Sequence, residues 1–139
     1  MEQRLSIVGL GVQDLPKSKA FYTQTLGWQA TSASNDDIVF IQLNGILLSL
    51  YPRDKLAEDA EVSPEGSGFT GFSLAHNARS IEEVDAIFAD LSQKGVRIVK
   101  PPQKVFWGGY SGYIADPDGN LWEIAYNPYM KFDAAGNVL

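Results

Sequence analysis

The chain has 139 residues, a net charge of −6 at pH 7, no cysteine and 45% hydrophobic residues. This length suits one domain or two small modules, and the apolar fraction excludes a disordered chain. The absence of cysteine excludes disulfides and thiolate metal sites and suits a cytoplasmic location. Without a dense Lys or Arg run, and with an interrupted apolar N-terminus, neither nucleic acid nor a membrane is an expected partner.

The first part of the chain predicts a βαβββ module. Residues 5–12 alternate in the period-two pattern of a strand, and Asp14 can cap a helix that ends at Gly27. Asn44-Gly45 is a strong hairpin signal between two further strands. The three strands that follow the helix are predicted at residues 28–34, 38–43 and 46–51.

The same pattern returns after a polar, acidic segment. Ser80 and Glu83 form a capping box for a second helix that ends at Gly95. Strands are predicted at residues 69–76 and 96–100, and at Tyr110–Ala115 and Leu121–Tyr126. The predicted organisation is a first module over residues 1–52, a linker over 53–68, a second module over 69–130 and a tail over 131–139.

The duplicated βαβββ pattern predicts an α+β fold of two modules with curved sheets. One helix covers one face of each sheet, so the two uncovered faces can close on each other around a concave cleft. Residues of the uncovered faces, assigned by strand parity, are mostly Gly, Ser and Ala. Small residues leave volume for a ligand, and the alternative is close packing of the two sheets.

The repeat, the opening VGLGVQDLPKSKAFYTQTLGW and the closing GYIADPDGNLWEIAYNP resemble the vicinal oxygen chelate superfamily. That group includes glyoxalase I, extradiol dioxygenases, fosfomycin-resistance enzymes and bleomycin-resistance proteins. The resemblance covers residues 5 to about 128. It is specific for the fold and weak for the reaction, because the superfamily places unrelated chemistries on one scaffold.

The resemblance implies a metal site on the concave face, of which this sequence keeps one donor. The family's two histidine positions are occupied by Ile7 and Gly71, and the additional carboxylate position by Ser49. The carboxylate on the last strand is present as Glu123. Zinc, iron or nickel needs three or four donors, so we expect no cofactor, and a divalent metal is possible but disfavoured.

Other candidate sites are weaker. His76, the sole histidine, has the parity of the helix side, and a structural role is favoured over that of a metal ligand. The Asp116–Asn120 stretch is rich in carboxylates but too short for an EF-hand, so a β-turn is favoured over calcium. Gly9-x-Gly11 lacks the third glycine of a dinucleotide fingerprint.

Glu123 and an aromatic run form the expected ligand site. A carboxylate on a core strand needs water, a donor, a cation or a ligand, and Glu123 is also the candidate catalytic residue. Aromatic rings in FWGGYSGY can meet a planar or cationic ligand, or alternatively fill the core or an interface. The predicted ligand-binding residues are Trp107, Tyr110, Tyr113, Glu123, Ser73 and Ser111.

Three functions follow from these residues. The leading hypothesis is metal-independent binding of a small organic ligand in the cleft, similar to the bleomycin-resistance branch. The alternative is a glyoxalase-like lyase, isomerase or dioxygenase that uses Glu123 as metal ligand or general base. A purely structural dimer with a closed core is the third. The resemblance and the apolar residues Tyr129, Met130 and Phe132 also predict a homodimer.

Overall fold

A computed structural model describes residues 7–59, 61, 63–66, 68, 70, 73–106 and 108–138. The chain forms two compact units. The first contains the described residues up to 66 together with 132–138, and the second contains those from 68 to 131. Each unit has a small sheet and at least one helix, which confirms the α+β fold class.

The first unit has a three-stranded sheet in the order β1-β3-β2. Strand β1 is parallel to β3, and β2 and β3 form the predicted antiparallel hairpin across Asn44-Gly45. Asp14 caps the first helix by accepting from the Lys17 amide at 2.9 Å. The elements are β1 (Ile7–Val12), α1 (Leu15–Ala20), a π-helical turn (Phe21–Thr25), β2 (Val39–Gln42), β3 (Leu47–Pro52) and α2 (Arg53–Asp59).

The strand predicted at residues 28–34 was wrong. This stretch makes one isolated bridge to β2, between Ala30 and Ile41, and then turns, with the Ser34 amide donating to the Thr31 carbonyl. The Asn35 side chain then accepts from two following amides, those of Asp37 and Ile38. Such local side-chain bonds compete with a strand ladder, which explains why the pairing stops.

The segment interpreted as a linker contains α2, which packs against the first sheet. A Cβ added to Gly11 of β1 would lie 3.3 Å from the Arg53 Cα atom and 3.3 Å from Leu56 Cδ2. Ala57 of the same helix is buried. Glycine at position 11 therefore allows α2 to approach β1 closely.

The second unit has a four-stranded sheet in the order β4-β7-β6-β5, with β4 parallel to β7 and the other neighbours antiparallel. The predicted Ser80 cap is confirmed, because Ser80 Oγ accepts from the Glu83 amide, while Glu83 Oε2 accepts from the amide of Arg79, one residue before the N-cap. The elements are β4 (Leu74–Ala78), α3 (Ile81–Gln93), β5 (Arg97–Lys104), β6 (Tyr110–Ala115) and β7 (Leu121–Tyr126).

The chain end carries a second copy of a turn that also joins β6 to β7. In Asp116–Asn120 and again in Asp133–Asn137, the aspartate side chain accepts from the amide and the side-chain nitrogen of the asparagine four residues later. The second copy belongs to the first unit, where Asn44 Nδ2 donates to the Ala135 carbonyl at 2.7 Å. The tail is thereby attached to the β2–β3 hairpin.

Candidate functional site

Strand alternation separates the second sheet into two faces. A Cβ added to Gly112 of β6 would lie 2.6 Å from Phe88 Cζ of α3, so the even-numbered residues of β6 face this helix. Their partners on β7, Trp122 and Ile124, are buried on the same side. The odd-numbered residues of β6 and β7 lie on the opposite face, which we call the Tyr113 face.

Tyr113 and Glu123 are direct cross-strand partners on the Tyr113 face. Both side chains are partly accessible, whereas the neighbouring pair on this face, Ser111 and Ala125, is buried. Burial raises the pKa of the Tyr113 phenol most, and the charge of Glu123 and a hydrogen bond to its carboxylate raise that pKa further. Tyr113 therefore stays protonated at neutral pH and can donate to an acceptor on this face.

The structure brings three of the six predicted ligand-binding residues to this face: Ser111, Tyr113 and Glu123. Ser73 comes directly before β4 and is exposed. Trp107 lies outside the described residues. The ligand-binding roles of these residues stay predictions.

Tyr110 does not share a face with Tyr113, so the expected convergence of these two rings was wrong. The Tyr110 hydroxyl donates to Asp85 Oδ1 of α3 at 2.7 Å. This hydrogen bond, followed by burial and the charge of Asp85, raises the pKa of Tyr110. The reason is regular alternation: β6 pairs with β7 without a register shift, so residues three apart point to opposite faces.

The residues at the family's metal positions do not fit a metal ion. Ile7 offers no donor atom. The Ser49 hydroxyl oxygen lies 3.4 Å from the position that a Cβ atom added to Gly9 would take. Gly71 lies outside the described residues and has no side chain to donate. Ala75, the β4 partner of Glu123, offers no ligand either. Among the described residues, no three His, Cys, Asp or Glu side chains come together as a metal site would require.

His76 and Asp116 both lie away from the Tyr113–Glu123 pair. His76 pairs with Ile124 of β7, which places it on the α3 side of the sheet, as its parity predicts. Asp116 is buried, and its carboxylate accepts from the amides of Asp118 and Asn120 and from Asn120 Nδ2. These bonds occupy the oxygens that a calcium ion would need, so the β-turn interpretation is confirmed.

The sequence interpretation missed Lys100. This residue of β5 is the cross-strand partner of Tyr113, so its backbone lies beside Tyr113 across the β5–β6 pair. No sequence signal marks it, because an irregularity in β5 determines its face.

The likeness to known proteins agrees with this architecture. A model of the Glyoxalase/Bleomycin resistance protein/Dioxygenase superfamily matches residues 4–124. The chain belongs to this superfamily. The Bacillus subtilis (strain 168) protein named "Uncharacterized protein YraH" is 32% identical over 126 residues, which are 87% of this chain and 96% of that protein.

Solved structures of superfamily proteins superpose on the chain. The crystal structure of a glyoxalase-related enzyme from Fulvimarina pelagi has a TM-score of 0.90 and 36% identity, and the match covers 99% of this chain and 98% of that one. A lactoylglutathione lyase from Agrobacterium tumefaciens has a TM-score of 0.71 and 22% identity over 91% of this chain and 96% of that one, which shows the fold alone.

In the described parts of the chain, no helix is both long and apolar enough to cross a bilayer.

Proposed function

We propose that this superfamily member binds a small organic molecule on the Tyr113 face and that binding needs no metal ion. One observation supports this proposal most directly. Glu123, the only donor kept from the family's metal positions, has a protonated phenol as its cross-strand partner and an alanine on its other side. A carboxylate in this setting can accept from a ligand, but it lacks the further donors that hold a transition metal.

A planar or positively charged ligand fits this pair of side chains. The face of the Tyr113 ring attracts a cation through its quadrupole, and the Glu123 carboxylate attracts the same cation through its charge. We expect a positively charged aromatic compound to bind about five- to thirty-fold more tightly than a neutral compound of the same shape, corresponding to about 1 to 2 kcal/mol.

Titration of the protein with 4-methylbenzylamine and with 4-methylbenzyl alcohol tests the proposal. Tyrosine Cζ resonances, labelled with ¹³C and assigned from Tyr→Phe variants, report the site. The amine is expected to shift the Tyr113 resonance, and Glu123→Gln is expected to reduce its advantage over the alcohol, because only the attraction of the Tyr113 ring for the cation remains. Tyr110→Phe is the matched control, because it removes a phenol hydroxyl on the opposite face of the same strand. Equal binding of the two compounds would contradict the proposal.

Elemental analysis of untagged protein tests metal independence. Less than one tenth of an equivalent of zinc, nickel or iron is expected, because the residues at the family positions supply one donor instead of three or four. Near-stoichiometric metal that disappears in Glu123→Ala would instead support an enzyme.

The alternative function is a glyoxalase-like lyase, isomerase or dioxygenase that uses Glu123 as metal ligand or general base. Two observations support this alternative. Glu123 is paired with Tyr113, so a carboxylate that could accept a proton lies opposite a phenol that could donate one. The chain is also similar to a glyoxalase-related enzyme. Activity that requires added metal and is lost in Glu123→Gln would establish this alternative.

A further inference from the structure

The register of the second sheet places a lysine and a glutamate on the two strands that flank Tyr113. Lys100 of β5 pairs with Tyr113 of β6, which in turn pairs with Glu123 of β7. Residues directly opposite each other in an antiparallel pair share a face and lie about 5 Å apart. Lys100, Tyr113 and Glu123 therefore form a row of paired residues across three neighbouring strands.

Lys100 takes part in no ion pair with the described residues. Lys55 and Lys94, by contrast, contact Asp37 and Asp90 at 2.9 and 2.7 Å. Lys100 is half-buried. It makes no ion pair with the described residues even though the chain carries 17 acidic residues. No carboxylate of the described residues thus neutralises its charge, which could be met by an anionic group of a ligand.

Spacing between strands gives the dimensions of a matching ligand. Neighbouring strands lie about 4.8 Å apart, so the Lys100 and Glu123 backbones are separated by about 10 Å with the Tyr113 ring between them. A molecule that meets both charged ends needs an anionic and a cationic group on opposite ends of a flat, ring-sized body.

We propose that the ligand is amphoteric and that Lys100 determines this specificity by binding the ligand's carboxylate while Glu123 binds its ammonium group. This inference rests on the proposed function, because it assumes that the ligand lies on the Tyr113 face. It extends that function because the Tyr113 ring and the Glu123 carboxylate alone require only a cationic group on the ligand, whereas Lys100 would also require an anionic group.

Three probes of one shape test the inference: 4-(aminomethyl)benzoate, 4-methylbenzoate and 4-methylbenzylamine. The amphoteric compound is expected to bind the native protein most tightly. Lys100→Met is expected to weaken binding of both benzoates about tenfold, which is typical for loss of a hydrogen bond to a charged group, and to leave the amine unchanged. Glu123→Gln should weaken the two amines and spare 4-methylbenzoate.

Two variants control for folding and for general charge. Lys100→Arg keeps the cation and is expected to restore benzoate binding. Lys104→Met removes the same charge from the same strand, but Lys104 pairs with Tyr110 on the α3 side, so it is expected to change no affinity. Equal weakening by Lys100→Met and Lys104→Met, or none by either, would overturn the role of Lys100.

The two proposals fail in different ways. If the amine binds through Glu123 but carboxylates gain nothing from Lys100, the proposed function stands and this inference is wrong. If no probe shifts the Tyr113 resonance of the native protein, both are wrong.

Discussion

Gly112→Ala is expected to destabilise the protein strongly, because no space exists for a methyl group at this position of β6. The added Cβ would lie 2.6 Å from the Lys100 carbonyl oxygen, 2.6 Å from Phe88 Cζ and 2.8 Å from the Pro102 nitrogen. Two of these three atoms are backbone, so a simple side-chain rotation cannot relieve the contacts. Either β5 or α3 must move away from β6.

The size of the effect follows from the cost of overpacking. Inserting a methyl group into a packed interior costs about 1 to 3 kcal/mol, and two backbone contacts place Gly112→Ala at the upper end, near 3 kcal/mol. Urea denaturation measures this as a lower midpoint at unchanged slope. In a chain of this size the melting temperature should fall by roughly 10 °C.

Gly9→Ala is the matched control, since it makes the same change in a strand of the first unit. A Cβ added there would lie 3.4 Å from Ser49 Oγ, which is an ordinary contact. We expect a change within about 0.5 kcal/mol, as for a substitution without a steric cost. If Gly112→Ala is no more destabilising than Gly9→Ala, the proposed packing of β5 and α3 around Gly112 is incorrect.

Three further predictions concern titration, turns and assembly. The pKa of Tyr113 should lie above its ordinary value of 10.0, and in Glu123→Gln it should fall only part of the way back, because burial of the phenol remains. A titration followed by ¹³C chemical shifts measures both values, and an unchanged pKa in the variant would contradict the coupling to Glu123. The stability linked to this shift is complete below pH 10 and is lost as pH rises through the pKa of the folded protein. Asp116→Ala should cost about 2 kcal/mol in urea denaturation, because it removes a buried carboxylate and leaves its part-buried donors unpaired. Asp133→Ala in the exposed copy of the turn should cost less, and equal losses would contradict the role of burial. Sedimentation equilibrium at micromolar concentration should give a homodimer, supported by the superfamily membership and the exposed Tyr129 ring, and a monomer would refute it.

Local signals in the sequence predicted the elements that short-range physics controls. The Asp14 cap, the Ser80 cap, the Asn44-Gly45 hairpin and the Asp116 turn are all present, because each depends on residues within about four positions of one another. The strand predicted at residues 28–34 is absent because local bonds turn the chain there: the Ser34 amide donates to the Thr31 carbonyl, and the Asn35 side chain accepts from the Asp37 and Ile38 amides.

The candidate site could be predicted only where strand parity is regular. The pairing of β6 with β7 has no irregularity, so alternation correctly places Ser111, Tyr113 and Glu123 on one face. The same alternation excludes Tyr110, because only a bulge next to a glycine such as Gly112 would bring Tyr110 and Tyr113 to one face. Glycine permits such a bulge without requiring it, and β6 contains none in its pairing with β7.

Lys100 shows why the row of Lys100, Tyr113 and Glu123 could not be predicted from the sequence alone. Ile98 of β5 pairs with Ile114 on the α3 side, and simple alternation would place Lys100, two residues later, on that side as well. The register shifts between them, so that Lys100 pairs with Tyr113 instead. An extra residue in one strand reverses the face of everything beyond it until the next shift. The Lys100 carbonyl and Pro102 lie against the empty side of Gly112, which has no side chain to exclude them. Gly112 is therefore important for packing and also allows β5 to bulge, which brings Lys100 into register with Tyr113.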